Sequence, residues 1–183
     1  LIGDLALCTR PINAHIIAVR TGHHQNMALV QELNRRIAIA DRPRLVFDIK
    51  ALLDLLPHRY PMMLIDRVLE YEPGSRVVAL KNVSVNEPFF QGDPVRPGVL
   101  QVEAMAQAGA VLLMADPANK GLVPYFMSMD KVKFRRPVRP GDQLRIEIEV
   151  LRVRSRMAAC HARALVDGEL CAEAEIRSVL VER

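Results

Sequence analysis

Residues 94–115 read PVRPGVLQVEAMAQAGAVLLMA, and this stretch decides how the rest of the chain must be arranged. Past Pro97 and Gly98, the apolar residues Val99, Leu100, Val102, Ala104, Met105, Ala106, Ala108 and Ala110 to Ala115 fall on every side of a helix. Such a helix belongs inside a fold, not on its surface. At about 1.5 Å per residue it would run roughly 27 Å, enough to cross a small domain. It is too short, and too often interrupted by polar groups, to span a bilayer.

Three polar side chains interrupt the run: Gln101, Glu103 and Gln107. Glu103 and Gln107 are four apart, so they share one face and can hydrogen-bond each other. A carboxylate in an apolar helix is costly unless it is paired or put to use. One reading of Glu103 is a general acid. The other is a structural carboxylate at a solvated gap or a subunit contact. Residue chemistry alone leaves both open.

Working outward, a chain of 183 residues fits one domain of ordinary size plus an extension. Half of its residues are hydrophobic, so a substantial core is available, and with no Trp it must be built from Leu, Val, Ile, Met and Ala. The formal net charge of +4 is too weak to argue for nucleic acid, and it leaves acidic proteins as fitting partners. Cys8, Cys160 and Cys171 form no C-x-x-C pair and leave an odd count. That pattern points to a reducing compartment, with neither a zinc site nor a disulfide framework. The opening stretch is broken by Asp4, Arg10 and Pro11, and no Ser precedes Ser75, so neither a secretory signal nor a transit peptide is read here. The expected location is the cytoplasm.

Residues 1–45 differ in character from the rest of the chain and read as an extension without assigned chemistry. They hold His23-His24 and a helical MALVQELNRRIAIA from Met27. The histidine pair reads as surface residues in preference to metal ligands, and Met27 would make a credible start with a leader before it. From Asp48, an N-cap residue, a short amphipathic helix carries Ile49, Leu52, Leu53, Leu55 and Leu56 and stops at Pro57. The segment PHRYPMMLIDRV then leads into a strand from about Leu64 to Tyr71. A Pro73-Gly74 turn comes next, and RVVALKNVSV returns as the second strand.

Beyond the long helix the chain is strand-rich. YFMSMDKVKFRRPV precedes a Pro140-Gly141-Asp142 turn, and in QLRIEIEVLRVRS the residues Leu144, Ile146, Ile148 and Val150 alternate strictly with charged ones. Asp167-Gly168 is a strong two-residue hairpin signal between the last two strands. The fold class is therefore α+β over residues 46–183, an antiparallel sheet wrapped round one long helix. Lys131, Lys133 and Arg135 alternate along one strand with Arg136 and Arg139 nearby. They read either as an edge protected by charge or as a docking patch for phosphate or an acidic protein. His58 and His161 are bases by residue type, but no spacing ties either to Glu103, and structural histidine is the better reading.

Four segments in order, LPHRYPMMLIDRV, NEPFFQG, PGVLQVEAMAQ and DKVKFRRPVRPGD, closely resemble the β-hydroxyacyl-acyl-carrier-protein dehydratases of type II fatty-acid synthesis. The resemblance covers about residues 46–183 and is to the non-isomerising branch, with the hot-dog fold. It implies a hydro-lyase that removes water from a (3R)-hydroxyacyl chain on acyl carrier protein to give the trans-2-enoyl thioester. It implies no metal and no organic cofactor, and neither nucleic acid nor membrane as partner. By motif match Glu103 is the acidic residue, supported by Gln107, while backbone N–H groups at the helix start, Gly98 and Val99, would polarise the thioester carbonyl. Tyr125 matches a tyrosine that gates the acyl tunnel in some relatives. Lys131, Lys133, Arg135 and Arg136 become the carrier-docking patch, and Arg59 is a lesser contributor. Family members pair as dimers, with His and Glu of one site coming from different subunits, and assemble further into hexamers.

The chain departs from the family at one place. The family loop reads G-H-F-P-G-x-P and its His is the catalytic base, whereas this sequence reads Gly92-Asp93-Pro94, so the H-F-P-G tetrapeptide is absent between Gly92 and Asp93. Either the protein has loop residues that this sequence lacks, or the deletion is real. The intactness of every other motif favours the former. A real deletion would remove the base and favour the alternative reading, a catalytically silent subunit that binds acyl carrier protein or builds an oligomer.

Overall fold

The computed structural model describes residues 5–8, 22–40, 46–92 and 97–182. The chain divides into two compact units, Leu1–Pro43 and Arg44–Arg183. In the first, helix α1 spans His23–Ala40 and so begins four residues before the expected Met27. Within this unit the Asn34 side chain donates to the backbone carbonyl of Leu7, and Arg35 pairs with Glu32 one turn back.

The second unit opens with α2, Ile49–Leu55, where Asp48 caps the helix by accepting from the Ala51 N–H at 2.9 Å, as its position predicts. Strand β1 (Arg67–Glu72) starts three residues later than the expected strand, because Leu64 and Ile65 are fully buried in the approach to it. The remaining elements are β2 (Arg76–Asn82), α3 (Gly98–Met114), β3 (Leu122–Phe134), β4 (Gln143–Arg154), β5 (Met157–Val166) and β6 (Glu169–Glu182). The six strands form one antiparallel sheet in the order β1-β2-β4-β5-β6-β3. The β5–β6 connection is the predicted Asp167-Gly168 turn, with both residues at positive φ (52° and 82°), which suits the twist of the flanking strands.

Helix α3 packs against five of the six strands, which is the hot-dog arrangement. Small residues allow that approach. Ala104 and Ala108 on the helix and Ala162, Ala164, Ala172 and Ala174 on the sheet all belong to one buried cluster. The alternation read in β4 holds, with Leu144, Ile146 and Ile148 fully buried. It lapses after Val150, where the register shifts and Leu151 and Val153 turn outward. The helix is enclosed nearly all round, as its composition requires, with Val99 in its first turn the main exception. Pro97 lies just outside the helix as its cap residue, not in the first turn.

The face of α3 turned from the sheet is covered by the segment after α2. Gln107 makes that cover. Its side-chain oxygen accepts from the Leu64 N–H at 2.9 Å, and its amide nitrogen donates to the Met62 carbonyl at 2.7 Å. Gln107 is buried, so both backbone groups depend on it. Replacing it by Leu keeps the bulk but leaves the Leu64 N–H and Met62 C=O unpaired. Gln107→Leu should therefore cost about 2 kcal/mol or more in urea unfolding; a loss below roughly 0.5 kcal/mol would show that water replaces the amide without penalty.

Candidate active site

One side of α3 faces a cavity of about 340 Å³. Its helical wall includes Ala106, Gly109 and Ala110, which carry too little side chain to fill the space; a Cβ on Gly109 would meet no atom within 4 Å. Val123 to Phe126 of β3 and Ile148, Cys160 and Ile176 of the sheet complete a largely apolar lining. Among the described residues, the polar side chains His58, Glu103, Gln107 and Ser178 also line it, with the Tyr125 phenol. This is the composition of a pocket for an apolar chain with a few placed polar groups.

Glu103 is held by the helix periodicity that the sequence predicted. Gln107, one turn on, uses its second amide hydrogen to donate to Glu103 Oε1 at 2.8 Å. The same amide thus anchors the covering segment and orients the carboxyl. His58 Nε2 lies 3.4 Å from that same Oε1, and Glu103 Oε2 has no partner among the described residues. That 3.4 Å is within ion-pair reach but longer than a formed hydrogen bond. His58 comes directly after α2, and its backbone carbonyl accepts from the Arg59 guanidinium at 2.7 Å while the Leu56 carbonyl accepts from the same nitrogen at 2.8 Å. Arg59 therefore braces the turn. The approach of His58 to Glu103 is the feature that sequence reasoning missed. The two are 45 positions apart, and only the adjacency of PHRYP to a helix stop hinted that the imidazole would be rigidly placed.

The other sequence candidates divide. Tyr125 lines the cavity and is largely exposed, in keeping with a residue at its mouth. Gly98 and Val99 are not among the residues that line it. Gly98 sits under the Phe134 ring, where a Cβ would come within 3.0 Å, and Val99 is 70% exposed. Both stand at the helix start, more than a turn before Glu103. His161 is on β5, in register with Glu149 and Glu175, and is not brought to Glu103. Asp93 to Arg96, at the departure from the family loop, lie outside the described residues.

Lys131, Lys133, Arg135 and Arg136 each have a carboxylate partner on β6. Lys131 pairs with Glu175 at 2.7 Å, Arg135 and Lys133 share Glu173 at 2.5 and 3.6 Å, and Arg136 meets Glu169 at 3.2 Å. Hydrogen bonding from Arg135 holds the Glu173 carboxyl below its ordinary range, with Lys133 adding to the effect. The expected alternation is also broken, because Lys131 has φ of 52°, the register shifts between Asp130 and Lys133, and β3 ends at Phe134 before Arg135. Among the described residues no group of three or more His, Cys, Asp or Glu side chains could hold a metal ion. Cys160, the one thiol in the lining, is pushed up to about 11 by burial, which keeps it protonated and unsuited to nucleophilic attack.

Comparison with known proteins places this geometry. Residues 56–175 match the family described as FabA-like domain, and residues 1–35 match that of UDP-3-O-acyl N-acetylglycosamine deacetylase. The 3-hydroxyacyl-[acyl-carrier-protein] dehydratase FabZ of Desulforamulus reducens is 54% identical over 135 residues, covering 72% of this chain and 95% of that protein. The bifunctional enzyme LpxC/FabZ of Chlorobaculum tepidum is 42% identical over 200 residues that take in all of this chain but only 42% of the relative, so the chain spans less than half that protein's length. The residues before Met27, expected to be a leader, align with it as well. Among solved structures, the dehydratase heterocomplex ApeI:P from Xenorhabdus doucetiae shares the fold, with a TM-score of 0.65 at 19% identity over 72% of this chain and 91% of that one. With the family match running from the end of α2 through the Glu103 helix into β6, the chain belongs to the FabA-like family, among its FabZ-type dehydratases.

Proposed function

We propose that the chain dehydrates (3R)-hydroxyacyl-acyl-carrier-protein to the trans-2-enoyl thioester in fatty-acid elongation. The observation that carries this reading is a single carboxyl, Glu103, oriented by Gln107 on the wall of a largely apolar cavity. The reaction needs an apolar slot for the acyl tail and an acid for the departing C3 hydroxyl. Glu103 supplies that proton, and its Oε2, free of partners among the described residues, is the oxygen able to do so. The three free thiols suit the reducing cytoplasm where such synthesis would run. The 183-residue chain, its intact mass verified, should turn over a 3-hydroxyacyl carrier substrate, read as enoyl thioester absorbance. Glu103→Gln should lower kcat by about 10²–10⁴-fold while the thermal midpoint holds. Unchanged turnover in that variant removes Glu103 from the chemistry. A chain of the right mass with no turnover would favour the alternative, a silent carrier-binding subunit without the H-F-P-G loop.

A homodimer through β3, extendable to a trimer of dimers, belongs to the same reading. Strand β3 pairs only with β6 among the described strands, so its outer edge is open. It exposes Tyr125, Phe126, Met127, Met129 and Phe134, an apolar edge of a kind that solitary proteins avoid. Light scattering should give two or six times the 20.5 kDa chain mass, and Met127→Lys should shift the population toward monomer. A monomeric wild-type chain would end this reading.

Two observations support reading residues 1–43 as part of a deacetylase-type unit joined to the dehydratase domain: the match over residues 1–35 and the alignment of the whole chain with a bifunctional relative. Sequencing the gene upstream of the Leu1 codon should reveal an in-frame deacetylase-like coding region. A stop codon immediately ahead, with an independent start, would refute it.

A further inference from the structure

The proposed dehydration needs a base for the C2 proton, and the family's loop histidine has no counterpart in this sequence. Of the described residues lining the cavity, His58 alone carries an imidazole, whose ring nitrogen lone pair can take a proton. Burial keeps the Cys160 thiol protonated, and Tyr125 is a phenol.

The environment of His58 is unlike that of a structural histidine. A buried imidazole that serves only the fold normally has both nitrogens satisfied. Here Nδ1 is buried and has no hydrogen-bond partner among the described residues, while Nε2 faces the Glu103 carboxyl at 3.4 Å without a formed hydrogen bond. Burial of Nδ1 leaves Nε2 as the nitrogen able to exchange a proton with a bound molecule. The ring is also held in place, since Arg59 grips the backbone on either side of it and Gln107 anchors the segment beyond it. A base and an acid side by side on a cavity wall match the chemistry of removing H and OH from neighbouring carbons.

We propose that His58 is the catalytic base of this chain and forms, with Glu103 of the same protomer, the proton-transfer pair for dehydration. The inference rests on the dehydratase reading and replaces the family's inter-subunit arrangement with one built within a single chain. His58 starts neutral, with its proton on Nδ1, and Glu103 starts protonated. The C2–H bond breaks and its proton passes to the Nε2 lone pair. The electron pair left on C2 forms the C2=C3 double bond, the C3–O bond breaks, and the hydroxyl leaves as water with the Glu103 proton. Imidazolium and carboxylate then face each other, and transfer of the Nε2 proton to Glu103 restores both groups. Atoms and charges balance with no cofactor and no external oxidant or reductant.

The test uses the full 183-residue chain with its mass confirmed, wild type alongside His58→Gln and His58→Ala. Both variants should lose about 10²–10⁴-fold in kcat with little change in KM, and added imidazole should restore part of the His58→Ala turnover in a concentration-dependent way. A structural histidine would not give imidazole rescue. Wild-type turnover retained in His58→Gln overturns the inference alone; a wild-type chain with no turnover overturns the dehydratase reading and this inference with it. Should the variants not fold, carbethoxylation of wild-type His58, mapped by mass spectrometry, must abolish turnover in step with modification. Full modification with activity intact overturns the proposal equally.

Discussion

The second unit depends on one buried amide. Gln107 lies in the middle of a helix with almost no other polar group, and its three hydrogen bonds serve two purposes. Two of them satisfy backbone groups of the segment between α2 and β1, which would otherwise be stranded against an apolar helix. The third orients Glu103. Removing water from this region makes each bond stronger and each unmade bond more costly, so the segment has few alternatives to its observed path. Because that segment carries His58, the same amide fixes both members of the polar pair, one directly and the other through the chain.

The cavity arises from the same economy of side chains that lets the helix enter the sheet. Alanines on α3, β5 and β6 permit close packing where they face each other. Where Ala106, Gly109 and Ala110 face β3, small residues leave a gap that the sheet does not fill. An empty apolar space loses dispersion contacts for its lining, so it is a standing cost to stability unless something occupies it. An acyl chain is the natural occupant. The polar pair at its wall is then where a reacting group on that chain would meet an acid and a base.

Charge on the outer face obeys a different logic. The basic residues at the end of β3 are matched by Glu169, Glu173 and Glu175 of β6, the strand that pairs with it. Cross-strand pairing of this kind stabilises the ladder by small amounts and offsets part of the row's charge. A similar tie joins the other end of the sheet. There Glu70 of β1 bridges Arg76 of β2 and Arg145 of β4, and hydrogen bonding from Arg145 leads the effects that hold its carboxyl below the ordinary range.

By itself the sequence determined the elements and their types. An all-round apolar helix, a strict alternation in β4 and an Asp-Gly turn are local statements, and local periodicity is what a chain writes most directly. It also determined that Glu103 and Gln107 share a face, because helical spacing places them there before any tertiary contact forms. What it could not determine were relations between distant segments. The carboxylate partners of the lysine and arginine row depended on which strand lay beside β3, and its partner β6 comes only after two intervening strands. The bulge at Lys131 broke an alternation that looked regular in one dimension. Above all, the approach of His58 to Glu103 was decided only when the segment after α2 was tied across the central helix, since nothing in the spacing of two residues records a turn that a buried amide imposes between them.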